Sequence, residues 1–528
     1  MELGKILLRK NLATQEQIDQ ALEMQSKSGG RLGDCLTSMG VITQEQLAGI
    51  LNPAPQAPNT VADTGLSEGE LRNLLLKAIV TLELQTTSPM VGVLKLPAPI
   101  IQSMVNDCMD QKLIEVLGSS ASSSVGTELR YGLTTLGKAR ASEAMELNLY
   151  VGPAPVSLED YRRQIDAQKI TNERIKRQQV ESAFEDLVIS REFVANVGPA
   201  VNSGRSILLY GPPGNGKTSV AERVARMFCN VVYIPYCIQV DGQIIKVFDP
   251  SVHVEVQREA KGQGRSIRRD NVDRRWVPCE RPIVVTGGEL TLEMLDLQFN
   301  PHSRFYEAPL HIKALGGTFI IDDFGRQLVS PEDILNRWIV PLQSRVDFLK
   351  LHTGKSFEVP FDELIIFSTN LRPADLMDAA FLRRIPYKLE MVASDAEQFR
   401  DIFEAVAAKA GLEVQDQDYQ FILEALMARD DGNLACYQPS FIVEQVLCAC
   451  KYEDIAPVLR RDLVERAIGN LFAEPSAPSE NSGTTAQPTN SAYEGVGTSE
   501  TIILPAPPDV EPRRAANGYH YGSAMAAV

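Results

Sequence analysis

The sequence predicts a multidomain α/β protein. Its core is a parallel sheet built around a phosphate-binding loop and closed by a helical lid. A small helical repeat and an α+β unit precede that core. Three observations carry this expectation. Strands and helices alternate from about residue 184 to 390, the pattern of a mainly parallel sheet. The apolar strand Ile207 to Tyr210 runs into "GPPGNGKT" (211–218), and an amphipathic helix follows. About a hundred residues on, the strand "TFII" ends in two adjacent carboxylates, Asp322 and Asp323.

The totals bound the reading. The chain has 528 residues, room for about three or four domains. Hydrophobic residues make up 44% and charged residues 23%, ordinary for a globular protein. A net charge of −16 argues against the whole molecule binding nucleic acid, so such contact would need a local basic patch. No stretch approaches the ~18 continuous apolar residues of a membrane span. "MELGKILLRK" lacks the order of a secretion signal. The eight cysteines are scattered with no CxxC pair, which predicts reduced thiols and a cytoplasmic location.

In chain order, residues 1–51 hold an internal repeat. "LGKILLRKNLATQEQIDQAL" (3–22) aligns with "LGDCLTSMGVITQEQLAGIL" (32–51) at an offset of 29. Thr14 and Thr43 stand three residues before Gln17 and Gln46, the capping-box spacing. Residues 52–65 read as a Pro-rich linker. Residues 66–150 combine helical periodicity with two strand-like segments, "KLIEVLG" and "ELRYGLT", around a Ser-rich tip. Helices followed by such a pair resemble a winged helix. Its candidate recognition helix has one Lys and two Asp, a poor composition for phosphates. Residues 151–183 read as a charged, solvated connector, 184–390 as the nucleotide-binding α/β domain and 391–473 as an all-helical lid. The tail, 474–528, has the Pro, Ser, Thr, Gly and Ala bias of disorder.

The loop 211–218 fits GxxxxGK[ST] in its strand–loop–helix setting. Gly211, Pro212, Pro213, Gly214, Asn215 and Gly216 let backbone N–H groups face phosphate oxygens, and the helix N-terminus adds its dipole. Lys217 is placed to reach the β- and γ-phosphates. Thr218 offers a hydroxyl to Mg²⁺, and Asp322 holds the same ion directly or through water. "FDELIIFSTN" (361–370) is another apolar strand, and Asn370 at its end is placed to orient water or touch the γ-phosphate. A helix ending in Arg383 and Arg384 follows.

These elements, in this order, resemble the AAA+ ATPase family over roughly 184–472. The resemblance implies ATP and Mg²⁺, a Walker A motif at 211–218, a Walker B motif at 319–323, sensor 1 at Asn370 and an arginine finger at Arg383 or Arg384. It also implies a homo-oligomeric ring, hexameric in family usage, acting on a macromolecular substrate. A finger from the neighbouring subunit is worth ~10³-fold or more in related enzymes. Two departures stand out. Asp323 occupies the position where most members carry the Glu that polarises water. "CYQPSFIVEQVL" (436–447) has no Arg where relatives place sensor 2, leaving Arg460 and Arg461 as the nearest basic residues.

Two further readings concern partners. The stretch 257–282 has eight Lys/Arg against four Asp/Glu, and it holds Trp276. It reads either as a channel loop gripping an acidic polypeptide or nucleic acid, or as a solvated hairpin with internal ion pairs. The "RLGDxLxxxGxIT" wording of the repeat resembles the N-terminal domain of type II secretion and type IV pilus assembly ATPases, one version of which binds cyclic di-GMP. That resemblance implies nucleotide contacts from Arg31, Leu32 and Gly33. The first copy has Glu2 and Asn11 where the motif has Arg and Gly. The function expected is a ring-forming remodelling ATPase. The alternatives are a slow-hydrolysing ATP-dependent switch and a DNA-associated loader.

Overall fold

The computed structural model describes residues 54–120, 128–256, 272–429 and 433–472, and in the N-terminal stretch residues 4, 7–8, 12–28, 32–43 and 47. That stretch supplies α1 (Gln15–Ser28) and α2 (Leu32–Ser38). Thr14 Oγ1 accepts from Gln17 N at 3.3 Å, and Gln17 Oε1 accepts from Thr14 N at 2.9 Å, so the first copy carries the reciprocal cap. Leu7, Ile18, Ala21, Leu36 and Ile42 form a small core of their own.

Next come α3 (Glu68–Leu82), α4 (Thr87–Leu94), α5 (Ala98–Asp110), β1 (Ile114–Ser120), β2 (Glu128–Leu133) and α6 (Thr135–Leu147). Ser67 and Glu70 close a capping box at the start of α3. The pair β1–β2 is antiparallel. Leu71, Leu75, Ile101 and Val105, spaced at helical intervals, fill the interior of this unit together with Cys237 and Ile244 from later in the chain. The unit therefore shares its core with the segment that follows the phosphate loop.

The segment expected as a solvated connector, 151–183, is instead integral. It contributes β3 (Val156–Ser157), α7 (Leu158–Ala167) and α8 (Arg177–Ala183). Val156, Tyr161 and Ile165 are all buried. Tyr161 and Ile165, four apart, put an apolar stripe on α7, whose other face holds the charges. Gln168, fully buried, exchanges two 3.0 Å hydrogen bonds with the backbone N and O of Tyr233. The Pro-rich linker is held too: Asp273 N donates to Pro55 O at 2.9 Å, and Arg275 Nη1 donates to Thr64 O at 2.9 Å.

Then follow α9 (Arg191–Ser203), β4 (Ile207–Tyr210), α10 (Lys217–Arg226), β5 (Val232–Pro235), β6 (Cys237–Val240), β7 (Gln243–Lys246), β8 (Trp276–Cys279), β9 (Ile283–Thr286), β10 (Gln298–Asn300), β11 (Phe305–Glu307) and α11 (Leu310–Lys313). The α/β domain is completed by β12 (Thr318–Ile321), α12 (Pro331–Arg337), α13 (Ile339–Ser344), β13 (Val346–Lys350), β14 (Ser356–Pro360), β15 (Leu364–Thr369), α14 (Pro373–Leu376), α15 (Ala379–Leu382) and β16 (Tyr387–Glu390).

Five of these strands make the core sheet, in the order β16–β4–β15–β12–β9, all parallel. Its central strands are buried on both faces, so "ILLY", "TFII" and "LIIFST" read as unbroken apolar runs. Five others form a second, mixed sheet, β10–β11–β7–β6–β3, beside the antiparallel pairs β5–β8 and β13–β14. The lid is α16 (Ala396–Lys409), α17 (Asp416–Met427), α18 (Gln438–Tyr452) and α19 (Arg461–Phe472). No helix among the described residues is long and apolar enough to cross a membrane. The tail from 473 lies outside the described residues.

Candidate nucleotide-binding and catalytic site

Parallel strands end on one edge of a sheet, and the crevice beyond those ends is where ligands of α/β proteins bind. In the core sheet, β4 lies between β16 and β15, and β12 is the next strand. The loop after β4, the carboxylates after β12 and the amide after β15 therefore converge. A cavity of about 750 Å³ opens there. Its walls include the loop from Pro213 to Thr218, Asp322, Asp323 and Asn370, with apolar sides from Leu187, Ile189, Ile402 and Val406.

The loop needs glycine at two points. Gly211 has φ of 141°, and an added Cβ would overlap the carbonyl of Met391. Gly214 has φ of 78°, and a Cβ there would strike the ring of Tyr437 from the lid. Lys217 opens α10 and is 7% exposed. Its Nζ donates to Gly211 O at 3.0 Å and Pro212 O at 2.8 Å. Burial pulls its pKa down, and the charges of Asp322 and Asp323 oppose that. The ammonium is thus already aimed at the loop where phosphates would lie.

Thr218 Oγ1 donates to Asp322 Oδ2 at 2.7 Å, bringing together the two residues expected at the metal. One hydroxyl and one carboxylate are too few for a protein-only cage, and no metal-binding group of three acidic, His or Cys residues occurs among the described residues. The donor set does fit Mg²⁺, a hard ion that takes one or two carboxylates alongside phosphate oxygens and water.

Asp323 has φ of 47°, a left-handed conformation that costs a non-glycine residue about 1–2 kcal/mol. Asn370 Nδ2 donates to Asp323 Oδ1 at 3.2 Å. The two residues expected at the attacking water are therefore in contact. The turn after Asp323 is laced by Gln327, which the sequence reading missed. Its Nε2 donates to Asp322 O at 3.0 Å, Asp323 O at 3.2 Å and Gly287 O at 3.4 Å, and its Oε1 accepts from Gly325 N at 2.8 Å.

The paired arginines differ. Arg384 Nη1 donates to Ala380 O at 2.9 Å, and its guanidinium lies 5.7 Å from the Phe381 ring centroid. Arg383 is exposed; its backbone N donates to Ala379 O at 3.3 Å, and its side chain has no hydrogen bond or ion pair among the described residues. Neither lines the cavity of its own chain. Arg460 pairs with Glu453 and Asp462, and Arg461 pairs with Glu465 and lies over Phe421, so neither reaches the site. The basic group that the lid does bring to the cavity is Lys409. Lid and loop also share bonds: Tyr437 N donates to Gly214 O at 3.1 Å and Cys436 N to Asn215 Oδ1 at 3.4 Å. The buried Asn215 Nδ2 has no partner among the described residues.

The basic stretch resolves differently from the channel-loop expectation. Residues 257–271 lie outside the described residues. In the remainder Trp276 is 4% exposed and stacks on Tyr161, with ring centroids 6.5 Å apart. Arg275 pairs with Asp273, and Arg281 with Glu173, all buried or nearly so. Trp276 is a core residue and cannot grip a substrate. In the N-terminal unit Gly33 is buried, Leu32 packs against the small core, and Arg31 lies outside the described residues. The neighbouring Asp34 meets Arg174 at 2.7 Å.

Comparison with known proteins adds three findings. A family model described as a domain of unknown function (DUF8689) matches residues 395–470, the lid. Proteasome-activating nucleotidase from Archaeoglobus fulgidus is 26% identical over 210 residues, covering 38% of this chain and 50% of that protein. The Methanocaldococcus jannaschii protein of the same name is 28% identical over 158 residues, covering 29% and 35%. The chain thus spans half or less of the length of these curated relatives. Solved structures that match include the Thermotoga maritima RuvB Holliday junction branch migration motor, at 15% identity, 56% and 70% coverage and a TM-score of 0.30. Brucella abortus NtrX in complex with ATP matches at 16% identity, 54% and 56% coverage and a TM-score of 0.33. Superpositions that loose carry no argument about function. The similarity to the two nucleotidases, joined to the P-loop geometry, supports an AAA+ ATPase core.

Proposed function

We propose that this protein binds ATP with Mg²⁺, hydrolyses it, and uses the cycle as a ring-forming AAA+ machine to remodel a macromolecular partner, favouring a protein. The observation that carries this reading is the paired contact at adjacent strand ends: Thr218 with Asp322, and Asn370 with Asp323. Lys217 neutralises the β- and γ-phosphates, and the loop N–H groups hold them in place. Mg²⁺, when bound between Thr218, Asp322 and the phosphates, supplies charge neutralisation of the transferring group. Asp323 takes the proton of the attacking water, and Asn370 orients it. Arg383, exposed and unpaired, is the better finger of the two arginines because Arg384 is bonded to its own helix. In a ring it would face the next subunit's γ-phosphate.

A protein partner is favoured because the matched relatives are named for activating a proteasome, and because Trp276, Arg275 and Arg281 are buried away from any nucleic acid. The test is steady-state ATP turnover of the intact chain against Lys217→Ala, with light scattering to count subunits with and without ATP. Mutation-sensitive turnover in an ATP-dependent oligomer supports the reading. ATP binding without mutation-sensitive turnover favours the slow switch, whose specific support is the short acid at Asp323 already engaged by Asn370. Salt-dependent DNA binding would favour the loader. Regulation by cyclic di-GMP through Arg31, Leu32 and Gly33 is a separate proposal, and a calorimetric titration of the intact chain that shows no heat ends it.

A further inference from the structure

The weak point of the catalytic reading is the length of Asp323. A shorter acid has only two side-chain torsions, so its carboxylate goes where its backbone sends it. That backbone is unusual: Asp323 is left-handed and Gly325, two residues on, has φ of 105°. Something must hold the turn. Phe324 is anchored on the β15 side, with its N donating to Ser368 O at 2.7 Å and its O accepting from Thr369 Oγ1 at 2.7 Å. The carbonyl of Asp323 is held from the other side by Arg326 N at 2.9 Å and by Gln327. Gln327 is the one side chain among the described residues that bonds the carbonyls of both Asp322 and Asp323. It also reaches the end of β9 through Gly287 O.

We propose that Gln327 is a positioning residue for hydrolysis: its amide fixes the left-handed turn after β12 and thereby aims the Asp323 carboxylate at Asn370 and the attacking water. This rests on the ATPase reading above. The chemistry suits a primary amide. The three carbonyls demand a donor and Gly325 N demands an acceptor, and the Gln327 amide offers both on one planar group without any protonation change. A carboxylate of the same shape would keep the acceptor but face the carbonyls with like partial charge. Gln327 lies outside the metal and phosphate contacts, so nucleotide affinity should not depend on it.

The experiment measures kcat and the affinity for a fluorescent ATP analogue for the intact chain, Gln327→Ala and Gln327→Glu, at neutral pH. Gln327→Ala is expected to lower kcat on the order of 10- to 100-fold, the scale of a misplaced catalytic group, with analogue affinity within about twofold of the unsubstituted protein. Gln327→Glu keeps the shape and the acceptor but loses the donor, so its kcat should fall at least as far. Turnover of Gln327→Ala within twofold of the unsubstituted protein overturns the inference alone. So does unaltered turnover in Gln327→Glu, since a mere packing role tolerates a side chain of the same shape. If Gln327→Ala no longer binds the analogue, the turnover of Gln327→Glu decides. An unsubstituted protein that binds the analogue but turns over no ATP overturns the ATPase reading, and this inference with it.

Discussion

The core sheet and the second sheet beside it both carry charged groups, and they use them in opposite ways. At the edge of the core sheet the polar groups are bonded to one another in pairs that a ligand can replace: Lys217 on loop carbonyls, Thr218 on Asp322, Asn370 on Asp323. Around the second sheet the charges are closed off. Arg275 and Asp273 are each 3% exposed and 2.8 Å apart. Arg281 meets Glu173 at 3.0 Å, and Asp347 is shared between Arg337 and the buried His311. Through Arg281 with Glu173, and through Arg275 on the carbonyls of Thr64 and Pro155, these groups tie segments more than a hundred residues apart into one body. Charge left replaceable marks a site, whereas charge sealed inside marks a junction.

Substitutions at each place should therefore separate activity from stability. The largest stability loss is expected for Arg275→Ala, which leaves Asp273 buried and unpaired and frees the carbonyls of Thr64 and Pro155. Breaking such a pair costs about 3–5 kcal/mol, to be seen as a lower denaturation midpoint. Lys217→Ala should abolish most turnover and leave that midpoint nearly unchanged; a large drop there would break the comparison.

A smaller effect of opposite sign is expected at Glu363, fully buried with neither carboxyl oxygen bonded. Burial raises its pKa well above 4.5, so the folded protein holds a proton that the unfolded chain releases. Stability should fall as pH rises above 4.5, by about 1.4 kcal/mol per pH unit while one proton is taken up on folding. Glu363→Gln should remove that slope and be the more stable protein at pH 7 by chemical denaturation.

The smallest effect is expected at Lys77, buried and donating to Asn148 O and Oδ1 at 3.0 and 2.6 Å. Burial lowers its pKa from 10.5 to about 8. Its charge is a penalty below pH 8 that is relieved between about 8 and 10.5, so stability should rise over that window. Lys77→Met should lack the rise when the two proteins are compared by denaturant titration.

The same contrast explains what could be read from the chain. The three central strands of the core sheet are continuous apolar runs, and each leads into a residue whose chemistry shows at once: Lys217 and Thr218 beyond Tyr210, Asp322 after Ile321, Asn370 after Thr369. The second sheet is built from strands of two to four residues, too short to leave a period. Its neighbourhood also carries charges that suggest solvent. Arg275 and Arg281 belong to a basic run; Asp273 lies within it, but Glu173, the partner of Arg281, meets it only in the fold. In 151–183 the buried stripe Tyr161 and Ile165 was outnumbered by charge. Gln327 left no trace because a side chain that bonds to backbone needs no pattern; its one signal was its place two residues after the glycine of the Asp-Asp-Phe-Gly turn.

The contact between Tyr437 and Gly214 has a consequence for how the lid and the loop influence each other. Because Tyr437, the residue before α18, donates its backbone N–H to a carbonyl of the phosphate loop, a rearrangement of Gly214 by a nucleotide would be felt in the lid. Thermodynamic reciprocity then runs the other way as well. A partner that levers the helices of 395–470 changes nucleotide affinity by the same factor that the nucleotide changes the partner's. The lid is in this sense an input as much as an output.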